Sequence, residues 1–180
     1  MNLAFLTSGV APPDDIFAVI ENPRGGSPVK YEVDKASGAV FVDRFLHTAM
    51  SYPGDYGFIP CTLSQDGDPC DVLVVSPVAV VPGAVIRCRP VGALLMHDEA
   101  GPDEKIVAVP VDKLHPYYTG VASHTDLPPI LCEQIRHFLA HYKDLEPGKW
   151  SAPGDWVGPD EARRLIREAV ARYDARGEPR

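Results

Sequence analysis

Val29-Lys30-Tyr31-Glu32-Val33-Asp34 alternates apolar and charged side chains without a break. Successive side chains of an extended strand point to opposite faces, so Val29, Tyr31 and Val33 are expected on one face and Lys30, Glu32 and Asp34 on the other. The turn Lys35-Ala36-Ser37-Gly38 leads into a second strand at 39–45. Upstream, residues 16–21 form another apolar run, ended by Asn22-Pro23 and Gly25-Gly26. Downstream, strands are expected at 71–76, at 84–96 with a bend at Pro90-Val91-Gly92, and at 105–110. Many short strands joined by Gly and Pro turns, with no helices between them, indicate a small barrel or sandwich over residues 16 to about 114 rather than a parallel α/β sheet.

The period changes in the last third. Ile130, Leu131, Ile135, Phe138, Leu139 and Tyr142 recur at spacings of three and four, the stripe of an amphipathic helix. Asp126 is the expected N-cap, with Pro128 and Pro129 tolerated in the first turn. A second helix opens at Pro159-Asp160-Glu161, its acids facing the positive end of the helix dipole, and is expected to bury Ala162, Leu165, Ile166, Ala169, Val170 and Tyr173. Arg163, Arg164 and Arg167 alternate with acids and read as a solvated face. The fold class is therefore mainly β with flanking helices (α+β). A single domain, residues 1–180, combines a barrel core at about 16–114 with a helical part at about 126–176.

At 180 residues the chain is long enough to bury about 70% of its unfolded surface without a metal or disulfide staple. Its formal net charge of −8 is unevenly placed: residues 1–126 hold 8 basic and 16 acidic side chains, whereas residues 127–180 balance. Such a field repels nucleic acid and anionic membrane, so neither is expected as a partner. Met1 to Leu6 lacks the basic start of a secretory signal, and no stretch approaches the ~20 apolar residues that span a bilayer. Cys61, Cys70, Cys88 and Cys132 show no C-x-x-C spacing and read as reduced, packed thiols of a cytoplasmic protein.

The densest chemistry lies in Asp66-Gly67-Asp68-Pro69-Cys70-Asp71, where Gly and Pro force a turn that crowds three carboxylates. Like charges that close hold protons unless a cation sits among them, and hard oxygen donors favour Mg²⁺, Mn²⁺ or Ca²⁺. An EF-hand is excluded, because its fifth, sixth and twelfth positions would be Cys70, Asp71 and Pro77. A second acidic turn, residues 98–105, repeats the design with Asp98, Glu99, Asp103, Glu104 and Lys105. Lys30, Arg44 and Lys143, with the phenols of Tyr52 and Tyr56, supply the donors that phosphoryl transfer needs beside metal ions. Each group also has a plainer reading as a surface pair, a core aromatic or a helix-end charge; their joint presence favours the chemical one.

These stretches, with Phe41-Val42-Asp43-Arg44, Tyr52-Pro53-Gly54-Asp55-Tyr56-Gly57 and His141-Tyr142-Lys143, resemble the soluble family I inorganic pyrophosphatases of the short bacterial type. The resemblance runs from residue 16 to about 150. It implies an OB-like five-stranded barrel plus two C-terminal helices, several Mg²⁺ per subunit (Mn²⁺ as a substitute), and hydrolysis of pyrophosphate to two orthophosphates. By the same resemblance, Asp66, Asp71 and Asp103 look like ligands of the tightest metal, and Asp98 and Glu32 like ligands of metals arriving with substrate. Asp68 is similar to the family's general base, which takes a proton from a metal-bridged water. Lys30, Arg44, Tyr56, Tyr142 and Lys143 match its phosphate-binding positions, and Glu21, Tyr52 and Lys105 match supporting ones. Asp55 stands where Asn is common, Cys70 fills a variable slot, and Glu104 adds a charge expected to alter affinity for the weaker metals. Bacterial members are homohexamers, which places His137 and His141, one helical turn apart, at a subunit contact; no His-Glu-x-x-His pattern makes the pair a zinc site. An OB-type nucleic-acid module and an inactive metal-binding scaffold are the alternatives.

Overall fold

The computed structural model describes residues 3–176; Met1 and Asn2, part of the segment read above as lacking a signal, lie outside them. In chain order the strands are β1 (Gly9–Ala11), β2 (Asp15–Asn22), β3 (Val29–Val33), β4 (Val40–Phe45), β5 (Asp55–Phe58), β6 (Asp71–Val74), β7 (Val85–Asp98), β8 (Gly101–Pro102) and β9 (Lys105–Pro110). Helix α1 (Pro129–His141), strand β10 (Ser151–Val157) and helix α2 (Pro159–Asp174) follow. The main sheet runs β1-β2-β5-β6-β9-β7-β10, and a further β2–β7 pairing closes β2, β5, β6, β9 and β7 into a five-stranded, OB-like barrel. One strand can serve two barrel neighbours and β10 because β7 is 14 residues long and bulged between Pro90 and Gly92, where the bend was expected.

Several expectations need correction. β3 and β4 pair only with each other, as a two-stranded sheet beside the barrel, and Phe41, Val42 and Phe45 on β4 are exposed. Residues 55–57, read as part of a tight turn over 52–57, form with Phe58 a buried strand whose Gly57 lets β2 and β5 touch: a Cβ there would lie 1.9 Å from the Val19 carbonyl oxygen. β10 interrupts the helical part and went unread because Pro153 and Gly154 break its pattern; it pairs with β7 alone. The N-cap of α1 is Pro128, while Asp126 instead closes a capping box with Ser123 on the preceding 3₁₀ turn. Ile130 is exposed, whereas Ile135, Phe138 and Leu139 are buried as expected.

Two apolar layers hold the elements. Ala162, Leu165, Ile166 and Ala169 of α2 pack against Ile16, Ile20, Val72 and Ile106, with Val170 half-buried at the edge and Tyr173 half-buried beyond it. On the opposite face, Ile135, Phe138 and Leu139 of α1 pack with Tyr52, Tyr56, Leu73 and Val107. Each large aliphatic side chain buried this way contributes about 1.5–3 kcal/mol. Val72, Leu73 and Val74 are buried on both faces of the sheet, which is why β6 reads as a continuous apolar run. No helix among the described residues is long and apolar enough to cross a membrane. All four cysteines are free thiols, Cys70 and Cys88 fully buried.

Candidate active site

At one end of the barrel, local irregularities aim polar side chains into a common space. β6 and β9 run parallel with Asp71 opposite Lys105, so both begin at the same rim. Asp103, two residues before Lys105, lies on the same side, and the Lys105 ammonium bonds both carboxylates. A register shift between Ile20 and Asn22 turns Glu21 inward, where its carboxylate accepts the Val33 N–H at 2.9 Å. Asn22 bonds Tyr31 in both directions, its side-chain oxygen accepting the Tyr31 N–H at 2.8 Å, so β2 also anchors the hairpin. On the hairpin, a bulge at Asp43 leaves Lys30 opposite Arg44. Asp43 then bonds both cations at 3.1 Å, and Lys30 also pairs with Glu32.

The result is a cavity of about 310 Å³ walled, among the described residues, by eight carboxylates and six cations. Of the residues singled out in the sequence, Asp68, Asp66, Asp71, Asp98, Asp103, Glu32, Lys30, Arg44, Tyr56, Tyr142, Lys143, Glu21 and Lys105 all line it. Tyr52 does not; it is buried beneath Tyr56, its ring 5.3 Å from that of Tyr56 and 4.6 Å from that of Phe138. Asp66 and Asp68 lie on the exposed loop, where the Asp68 N–H donates to Asp66 at 3.0 Å and Gly67 takes a φ of +96°. Glu104 turns away from the cavity: it is buried and accepts from the Ser64 hydroxyl at 3.4 Å. Asp55 is fully buried and accepts the Arg24 and Val80 N–H groups, each at 2.9 Å, tying three segments together below Tyr56.

Electrostatics separates these groups. Burial pushes the Glu21 carboxyl up to about 7. Asp103 is raised to about 6 by burial, with Asp71 and Asp98 adding to it against Lys105. Burial opposes the charge on Lys105, yet Asp71 and Asp103 outweigh it and hold the ammonium protonated well above the ordinary lysine range. Burial also raises the Tyr56 and Tyr142 phenols, which therefore remain donors at neutral pH. Lys143, 2.8 Å from Asp98, is raised despite burial by Tyr142, Asp98 and Glu99.

Sequence reading missed Lys35, Glu99 and Lys149 as cavity residues. Glu99 joins Lys149 at 2.7 Å and Lys143 at 3.6 Å. Lys149 follows Lys143 by six residues, a spacing that the sequence displays but that gains meaning only from the turn between them. Lys35 stands 5.3 Å over the Phe58 ring; among the described residues it makes no ion pair within 4 Å, and its charge acts on Glu21 from further away.

The chain matches the sequence model of the inorganic pyrophosphatase family over residues 18–174. The chain belongs to this family. It is 64% identical over 174 residues to the inorganic pyrophosphatase of Caulobacter vibrioides, covering 97% of this chain and 98% of that one. With the Agrobacterium fabrum inorganic pyrophosphatase the identity is 54%, over 98% and 100% of the two chains. The crystal structure of the family member from Thermus thermophilus superposes with a TM-score of 0.91 at 42% identity, over 97% of this chain and 99% of that one. Family likeness thus spans barrel, hairpin, both helices and the cavity wall.

The donor set fits hard divalent cations, since eight carboxylates and no thiol or imidazole wall the cavity. Among the described residues no three potential ligands are already drawn around one point, and the Lys105 ammonium lies between Asp71 and Asp103.

Proposed function

We propose that this chain hydrolyses inorganic pyrophosphate to two orthophosphates in the 310 Å³ cavity. The observation that carries the reading is the interleaving of eight carboxylates with six cations and the phenols of Tyr56 and Tyr142, in a chain of this family. Carboxylates alone would suit cation storage; cations alone would suit anion binding. Together they suit a polyanion that arrives with divalent metal.

Asp66, Asp71, Asp103, Asp98 and Glu32 would hold several Mg²⁺, with Mn²⁺ as a substitute. Bound there, the cations would offset phosphate charge and make a water molecule more acidic. Asp68, exposed on its loop, is the general base: its carboxylate takes the proton of the attacking water as the water oxygen bonds to phosphorus and the bridging P–O bond breaks. Lys30, Arg44 and Lys143 hold phosphate oxygens, and the Tyr56 and Tyr142 hydroxyls donate to charge growing on the leaving phosphate. Lys105 separates Asp71 from Asp103, Glu21 fixes the hairpin through Val33, and Tyr52 supports the Tyr56 ring. A cytoplasmic homohexamer without nucleic-acid or membrane partners completes the reading. Exposed Phe41, Val42 and Phe45, and the exposed His137 and His141 on α1, support self-association.

Phosphate release from pyrophosphate with Mg²⁺, against an EDTA control, tests the activity. Release with Mg²⁺ and none with EDTA is expected. No release under either condition would leave an anion-binding or scaffold protein.

A further inference from the structure

We propose that Glu146 is a positioning residue that holds the Arg44 guanidinium in place for phosphate; the proposal rests on the phosphate-binding reading of Arg44. Arg44 lies on β4, which among the described residues has β3 on one side and no strand on the other. A flexible side chain on such an edge needs an external support if it is to meet substrate in one orientation. Glu146 supplies it from 102 residues further along the chain: its Oε1 accepts from Arg44 Nε at 3.1 Å.

Three features separate this contact from an ordinary surface pair. The Glu146 side chain is only 9% exposed, so solvent competes little for it. Arg44 lines the cavity and Glu146 does not, so Glu146 can act on substrate only through Arg44. Asp43 takes the Nη1 side of the same guanidinium at 3.1 Å, which leaves Nη2 without a carboxylate among the described residues. Carboxylates on two different nitrogens fix the plane of the group, and the remaining donors are free for phosphate oxygens.

The segment after α1 explains why the support comes from there. Turn hydrogen bonds link Glu146 N–H to the Lys143 carbonyl at 2.8 Å and Lys149 N–H to the Glu146 carbonyl at 3.1 Å. Lys143 reaches Asp98, Glu146 reaches Arg44, and Lys149 reaches Glu99. Beside them, the His47 Nδ1 lies 3.1 Å from the Leu145 carbonyl, and the Thr48 hydroxyl donates to the Tyr142 carbonyl at 3.4 Å. One short segment therefore presents Lys143 and, through Glu146, sets Arg44 against it.

The test compares Glu146→Ala, Glu146→Gln, Arg44→Ala and the double variant Arg44→Ala/Glu146→Ala as full-length protein with Mg²⁺. Losing a charge-assisted contact should raise KM for pyrophosphate on the order of tenfold in Glu146→Ala, with a smaller change in kcat. Glu146→Gln keeps an acceptor oxygen and should recover most of the loss. In the Arg44→Ala background, Glu146→Ala should add nothing to KM. The Arg44 Nε–H resonance, protected in the unaltered protein, should broaden or exchange faster in Glu146→Ala. A KM that rises equally with and without Arg44, or a variant that loses thermal stability alone, would overturn the proposal. Should the unaltered chain release no phosphate, the functional reading fails instead, and the Nε–H resonance still decides whether Glu146 orients Arg44.

Discussion

At the scale of single residues, position along the chain conveys identity but not environment. Asp66 and Asp68 are one glycine apart, yet Asp66 is turned onto the Asp68 backbone N–H. On the function proposed above, Asp68 is the loop carboxylate that receives the proton. Asp68→Asn should therefore keep the fold and much of the metal binding and lose most turnover; stopped-time phosphate assays near the unaltered rate would refute its role as base. Glu21 makes a different prediction. Its folded value of about 7 lies above the ordinary 4.5, because burial disfavours the carboxylate. The folded state then holds the proton more tightly, so this group's contribution to stability is greatest below pH 4.5 and declines until pH passes 7. The span corresponds to about 3 kcal/mol. Urea midpoints measured in EDTA should show Glu21→Gln gaining on the unaltered protein as pH rises from 4.5 to 8. Parallel curves would contradict the assignment.

At the scale of elements, regular periodicity was readable and its interruptions were not. The alternation from Val29 to Asp34 announces a strand, and the spacing of Ile135, Phe138 and Leu139 announces a helix. Residues 52–57 instead look like a turn, because Pro53, Gly54 and Gly57 are poor strand formers. They nevertheless lead into and contribute to β5, because Gly57 meets Val19 across a gap that admits no side chain. Packing overrides propensity there. Gly57→Ala should force β2 and β5 apart, displace Tyr56, and cost roughly 3 kcal/mol or more in urea unfolding. A loss under 1 kcal/mol, with unchanged kinetics, would mean that the two strands yield easily. The bulges at Glu21 and Asp43 belong to the same class of feature, since no local residue pattern marks them.

For the whole molecule, charge is the property that links fold and function. Half of the −8 carried by residues 1–126 lies at one end of the barrel, where eight carboxylates of that stretch face four of its cations, and Lys143 and Lys149 bring the cavity cations among the described residues to six. Filling such a site with divalent ions relieves repulsion only in the folded state and should stabilise the protein by linkage. At about one hundred times its Kd, Mg²⁺ should add about 2.7 kcal/mol, or about 5–10 °C in Tm for a domain of this size. Scanning calorimetry with Mg²⁺ and with EDTA measures this; coincident transitions would argue against a cation site among these carboxylates.

The fold class, the two helices, the family and most of the residues crowded at the cavity are legible along the chain, because periodicity and the D-G-D-P-x-D spacing are properties of neighbours in sequence. That the β3–β4 hairpin stands outside the barrel is visible only once the chain is folded. The same is true of the Tyr52 ring packed against that of Tyr56, of Glu104 facing away, and of Lys35, Glu99 and Lys149 lining the cavity. What separates the two kinds of feature is distance along the chain. Arg44 and Glu146 are 102 residues apart, and their contact exists only when barrel closure and the turn after α1 bring the two segments together.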